Sequence, residues 1–285
     1  TYKDLLDGTY DTDMKVLWIK VDRYMDVAAL DNLFPQNVRD AIANYVKAGG
    51  NVYLSTYAVR LAHLIGRSPN PDVFSEDQGF AGYAEWKVLA DFSNNHVNHT
   101  HAIYKYLMET NMYDRKDNGL YFFHMLKGDP HSDRNCLWNI GTELNSVNNF
   151  QNTQTCKILG SWGHENHFTS AGLVEFYPVG EWKGTIIANG LAACSWASSN
   201  TDVHCVQHLT HGVLDYLNTM PTTYGAPKKF GYILPYSMQQ MDSYTNENIF
   251  RPDYVAAKWF ETNYVNASIG CFLNPRDYNA TNLIP

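Results

Sequence analysis

The clearest hydrophobic pattern lies in residues 14–66. MKVLWIKV (14–21) is a nearly continuous apolar run, the signature of a strand covered on both faces. A helix is expected from about Pro35, a favourable first-turn residue, with Val38, Ala41, Ile42, Tyr45 and Val46 on one face and Gly49 and Gly50 ending it. NVYLST then reads as a second strand and AVRLAHLIG as a second helix ending at Gly66. Strand, helix, strand, helix with short links predicts a parallel sheet with helices on its faces.

Residues 67–150 carry weaker patterns. PNPDVFSEDQGFAGYAEW reads as a long loop, HAIYKYLMETN as a short helix, GLYFFHML as a strand, and GDPHSDRNCLWNIGTELNSVNNF as a second long loop. CKILGSW, LVEFYPV and KGTIIANG read as strands, the last two joined by GEWKG as a hairpin. A helix over about 203–217 presents Val206, Leu209, Val213, Leu214 and Leu217 on one face. Beyond a linker at PTTYGAP (221–227), KFGYILP is a strand. A helix follows Pro252, with Val255, Ala256, Trp259 and Phe260 as its apolar stripe, and SIGCFLNP is a last strand.

Composition narrows the class. The 285 residues are 45% hydrophobic and 18% charged, the balance of a globular chain. No run reaches the roughly 18 apolar residues of a membrane span, and TYKDLLDGTYDTD lacks the basic start and apolar core of a signal peptide. The expectation is a soluble chain with no direct membrane insertion. A formal charge of −8 without a Lys/Arg cluster excludes a phosphate-tracking surface, so no nucleic-acid partner is expected. Five cysteines with no C-x-x-C pair argue against a disulfide framework and a cysteine zinc site; buried free thiols are the expectation. The 20 Tyr and 7 Trp exceed what a core of this size needs, and rings on an Asn-rich surface suit stacking on sugars.

KVLWIKVDR, the helix ending KAGG, and NVYLSTYAVRLAHLIGR resemble the class I glutamine amidotransferase-like architecture, a flavodoxin-like, doubly wound, mostly parallel α/β sheet. With HAIYKYL, EFYPVGEWKGTIIANG, HLTHGVLDYL, KFGYILPY and AAKWFETNYV, the chain is more closely similar to an uncharacterised domain at the C-terminal end of surface lipoproteins from bacterial fructan-utilisation loci. In that family the unit matching 228–285 precedes the strand matching 14–21. Either this chain is circularly permuted, with 218–227 as joint and ATNLIP to TYKDLL as the old continuous path, or it carries the start of a second copy. Permutation leaves no strand without a neighbour and is the reading taken, giving one α/β domain over 1–285.

The resemblance implies a bacterial outer-membrane surface location as part of a lipoprotein. It also implies a non-catalytic glycan-binding role toward fructan-type poly- or oligosaccharide, with transporter components of an uptake complex as further partners. Two alternatives stand beside it: a serine hydrolase or amidohydrolase on the amidotransferase-like fold, and a structural or docking domain of the uptake complex.

Ligands of open α/β sheets gather at the carboxyl ends of the strands. These ends bring Asp22, Arg23 and Tyr24; Ser55, Thr56 and Tyr57; Pro235, Tyr236 and Ser237; and Trp162 to His167. The amidotransferase relatives carry a Gly-x-Cys-x-Gly elbow after the strand equivalent to NVYL. Here Ser55 or, with a slip, Tyr57 falls there, with no cysteine and no flanking glycine. A serine mechanism would draw on Ser55, His164 and Glu165, but the lost elbow chemistry favours no catalytic residue. Sugar binding needs rings beside planar polar groups. The ring candidates are Trp162, Trp138, Trp86, Trp196, Tyr57, Tyr83 and Tyr236; the polar candidates are Asp22, Arg23, Asn139, Glu143, Glu165 and Asn166. For each tryptophan the competing reading is core packing, assigned outright to Trp18 and Trp259.

Other chemistry is weaker. His204, His208, His211 and Asp215 share one helical face, opposite the apolar stripe, and read as solvated. His164 and His167 lack a His-Glu-x-x-His pattern, and His96, His99 and His101 read as surface hydrogen-bonding groups. Glu143, Glu165 and Glu181 flank aromatics as possible paired carboxylates. G-x-G-x-x-G and G-x-x-x-x-G-K-[ST] are both missing, so no metal and no cofactor is expected.

Overall fold

Met14–Val21 forms β1, and its side chains from Val16 to Val21 are all buried, as a strand with no polar face must be. The computed structural model describes residues 14–21, 27–74, 85–92, 96–115, 120–127, 135–141, 144–162, 170–191, 196, 200–220, 229–234, 256, 259–260, 262–263 and 268–271. Helices α1 (Val27–Leu33) and α2 (Gln36–Lys47) lead to β2 (Asn51–Thr56), which pairs parallel with β1. The glycines after α2 act as expected. Gly49 takes φ 107°, and a Cβ on Gly50 would lie 2.2 Å from the Tyr45 ring. A 3₁₀ turn, Tyr57–Val59, then enters α3 (Arg60–Leu64).

The following region is more structured than its polarity implies. It holds β3 (Asp72–Phe74), β4 (Glu85–Leu89), a 3₁₀ turn (Ala102–Tyr104) running into α4 (Lys105–Glu109), β5 (Tyr113–Arg115) and β6 (Tyr121–Lys127). The expected second long loop contains β7 (Asn135–Asn139) and α5 (Leu144–Gln154). Val147 and Phe150 are the only buried residues of Asn-rich α5, and two apolar positions make too thin a stripe to read as a helix. The chain continues through β8 (Cys156–Trp162), β9 (Ser170–Ala171), β10 (Leu173–Phe176) and β11 (Ile186–Asn189). It closes through α6 (Val203–Thr219), β12 (Lys229–Leu234), a helix of which residues 256, 259–260 and 262–263 are described, and β13 (Ser268–Cys271).

Among the described residues ten strands form one sheet in the order β13-β12-β1-β2-β11-β10-β8-β4-β6-β5. The first four pairings are parallel and the remaining five antiparallel, so the sheet is mixed rather than mostly parallel. The expected hairpin between β10 and β11 makes the reversal, and the strands of residues 85–127 extend the antiparallel half. β12 pairs with β1, and β13 pairs with β12 at the edge of the sheet. Thr1, Pro285 and the linker 221–227 lie outside the described residues.

Alternation along the strands divides the core in two. Leu17, Ile19 and Val21 face a cluster with α1, α2, α3 and α5. Val16 and Trp18 face a second cluster with α4, α6, Ala256 and Phe260. Helices therefore cover both faces. Asn51 anchors α6 to the sheet: its Nδ2 donates to the Leu217 carbonyl at 3.1 Å, and its Oδ1 accepts from the Thr185 N–H at 2.9 Å. The last turn of α6 thus sits at the start of β2. Its 17 residues, at about 1.5 Å each, carry its first turn to the strands' carboxyl edge. A small antiparallel sheet, β3-β7-β9, joins that edge where the Cys136 N–H donates to the Gly190 carbonyl at 2.8 Å.

Candidate functional site

The parallel register sets three polar side chains in a row. Lys20 on β1 and Asn189 on β11 both pair with Ser55 on β2, so all three share the face that carries Trp18, Tyr53 and Ile187 one layer below. All three are buried at the carboxyl edge. The Trp18 Nε1–H donates to Ser55 Oγ at 2.9 Å, and Asn189 Oδ1 accepts from the Leu191 N–H at 3.4 Å. A buried polar row is costly unless bonded, so its position at the strand ends marks this edge as the candidate site.

Thr56 ends β2 at φ 56° and ψ −126°, immediately before the 3₁₀ turn into α3. Positive φ is strained for a β-branched residue, and such strain collects at functional positions. Strand, one strained residue and helix is the path of a nucleophile elbow. The Thr56 Oγ1 is buried and has no hydrogen-bond partner. The strained turn falls on Thr56, between the two positions expected for an elbow. The sequence holds no signal for it, because S-T-Y lacks the glycines that mark a tight elbow. Ser55 stands within the strand and its Oγ accepts from the Trp18 indole, while its expected partners His164 and Glu165 lie outside the described residues.

Three of the expected sugar-facing rings are core residues. Tyr57 is fully buried in the cluster beneath α2 and α3. Trp138 packs on Phe150 and Phe176 and donates its Nε1–H to the Pro69 carbonyl at 2.8 Å. Trp196 lies 5.8 Å from Trp18 and 5.3 Å from Trp259, ring centre to ring centre. None presents a free face, because each fills the space between sheet and helix. Trp259, expected in the core, is only partly buried. Asn139 is exposed, and Glu181 pairs with Lys47 beyond the β10–β11 hairpin, at the opposite edge. Asp22, Arg23, Tyr24, Tyr83, Glu143, His164, Glu165, Asn166, His167 and Tyr236 lie outside the described residues, as do the side chains of Trp86 and Trp162.

The histidines of 96–101 are more engaged than surface groups. Asp91 accepts from the backbone N–H groups of Asn98 and His99, and its Oδ2 lies 2.5 Å from His99 Nδ1. His99 stacks on Tyr121 and His96 on Phe92; burial is the main cause that lowers the His96 pKa. His101 Nε2 is 3.4 Å from Oε2 of the fully buried Glu175, whose Oε1 accepts from the Tyr216 hydroxyl at 2.6 Å. On the face of His204, His208, His211 and Asp215, His204 is exposed and the other three are half-buried. Tyr106 of α4 stacks on His211 and donates to Asp215. These clusters brace α4 and α6 against the sheet.

The described cysteines Cys136, Cys156 and Cys205 are buried free thiols. Burial raises all three, with Cys156 and Cys205 pushed up to about 12, so none is a reactive thiolate. No family model matches this sequence, and no curated protein sequence matches it.

Proposed function

We propose that the chain is a non-catalytic, surface-displayed glycan-binding domain that takes fructan-type polysaccharide at the carboxyl edge of its sheet. In this reading the mixed sheet belongs to a doubly wound, amidotransferase-like domain in permuted order, displayed at a bacterial outer membrane as part of a lipoprotein. The observation that carries it is the row of polar side chains Lys20, Ser55 and Asn189, beside the strained Thr56, at the carboxyl edge of the strands. Among the described residues, Ser55 accepts from the Trp18 indole and the Thr56 hydroxyl has no hydrogen-bond partner. Such groups suit a polyol, and the aromatic surplus of the sequence supports stacking. Affinity in the micromolar range, roughly, is expected of a site that buries one or two sugar rings.

Calorimetry of the chain against levan, inulin and unrelated glycans tests this. Heat with the fructans alone supports it, and a loss with Trp162→Ala locates the rings. No heat with any glycan rejects it.

The strained elbow favours one second reading, a hydrolase in which Thr56 is the nucleophile. Turnover of an activated ester or amide, abolished by Thr56→Val, would establish it in place of the first.

A further inference from the structure

We propose a zinc site at the start of α6, formed by Asp202, His204 and Cys205 with Met112 beside it. A carboxylate oxygen, an imidazole nitrogen and the thiol sulfur of these three residues lie within 4.8 Å of one another. The Cys205 Sγ stands 3.5 Å from Met112 Sδ, so a second sulfur adjoins the cluster. An independent feature points the same way. Asp202 occupies the helix N-cap yet makes no side-chain cap bond, and its Oδ2 is buried with no hydrogen-bond partner. That orphan costs free energy, and a cation would relieve it.

The surroundings fix the backbone of Asp202. Asn200 is buried, donates its Nδ2–H to the Met125 carbonyl at 2.9 Å, and accepts the Asp202 N–H on its Oδ1 at 2.9 Å. Cys205 is buried while His204 is exposed, which leaves an access path from solvent. The positive end of a helix disfavours a cation. Here a thiolate and a carboxylate would supply two negative charges, enough to neutralise a divalent ion. On binding, the thiol proton leaves to solvent as the sulfur–zinc bond forms, so one proton is released per ion. The mixed O, N, S set suits Zn²⁺, whereas a site led by Cys and Met sulfur would suit Cu(I). Spacing at i, i+2 and i+3 across a helix cap is not a helical-face repeat, so no periodic pattern in the sequence marks it.

The test is titration of the full chain, reduced and free of chelator, with Co²⁺ and then Zn²⁺. Expected are a thiolate-to-cobalt charge-transfer band that Zn²⁺ removes, and a Zn²⁺-dependent rise in melting temperature. His204→Ala, at an exposed position that should not disturb folding, should weaken binding by about tenfold or more. Cys205→Ser should abolish the band. No band and no melting shift overturns the proposal, as does a band that His204→Ala leaves unchanged. Binding of Cu(I) but not Zn²⁺, lost in Met112→Leu, overturns the assignment of the metal.

Discussion

The Trp18 indole N–H and the Ser55 hydroxyl, on adjacent parallel strands, meet at 2.9 Å beneath the carboxyl edge. Ser55 is thereby a structural acceptor. Ser55→Ala should cost about 1–3 kcal/mol, the penalty of a buried donor that loses an acceptor, and a urea melt measures it. Glycan binding should survive. Loss of an esterase or amidase activity in this variant, at full folding, would reverse the assignment.

Thr56 offers the opposite sign. Relief of its positive φ is worth about 1–3 kcal/mol, against an entropic cost of roughly 0.5–1 kcal/mol for glycine. Thr56→Gly should therefore raise stability by about 1 kcal/mol, and Thr56→Val, which removes the orphan hydroxyl, should be neutral or stabilising. A loss above about 1 kcal/mol in Thr56→Val would mean that the hydroxyl is engaged.

Gly212 sits inside α6, where alanine would ordinarily gain about 1 kcal/mol. Here a Cβ would fall 2.1 Å from the Ile103 carbonyl oxygen, a backbone atom that cannot turn aside. Gly212→Ala should lower stability by about 2–3 kcal/mol through overpacking, visible as a lower melting temperature. An unchanged melt would mean that α4 and α6 can separate.

Alkaline pH should unfold the protein earlier than its acidic composition alone implies. Burial, then the hydrogen bond to Glu175, raises the Tyr216 phenol above its ordinary value; burial, then the Glu175 charge, raises Tyr177. Tyr106 is raised to about 12, first by its bond to Asp215. The folded state keeps protons that the unfolded state gives up near 10, so this stability is present below pH 10 and is lost as pH rises beyond it. Melting temperatures across pH 8–11 should fall on the alkaline side, and Tyr216→Phe should flatten the fall. A profile unchanged by that variant would remove Glu175 and Tyr216 from the account.

Legibility differed between fold and site. The 14–66 unit, the β10–β11 hairpin and α6 were readable because each carries a full hydrophobic period over its own length. β7 and α5 were not, since NCLWN is short and α5 buries only two side chains. The site fared worse. Trp138 follows a polar segment and Trp196 precedes one, so each reads equally well as exposed or buried; only contacts with Phe150, Phe176, Trp18 and Trp259 decide.

The sequence by itself determined the strands and helices that carry a full hydrophobic period, because periodicity is a local record of burial. It also determined the parallel character of β1 and β2, since a helix between two apolar runs allows little else. Tertiary structure alone decided that β8, β4, β6 and β5 extend the sheet beyond the β10–β11 hairpin, that Lys20, Ser55 and Asn189 align, and that Thr56 takes the strained turn. Pairing register, and a backbone angle imposed by the packing around a strand end, depend on residues far apart in the chain, and no local pattern encodes them.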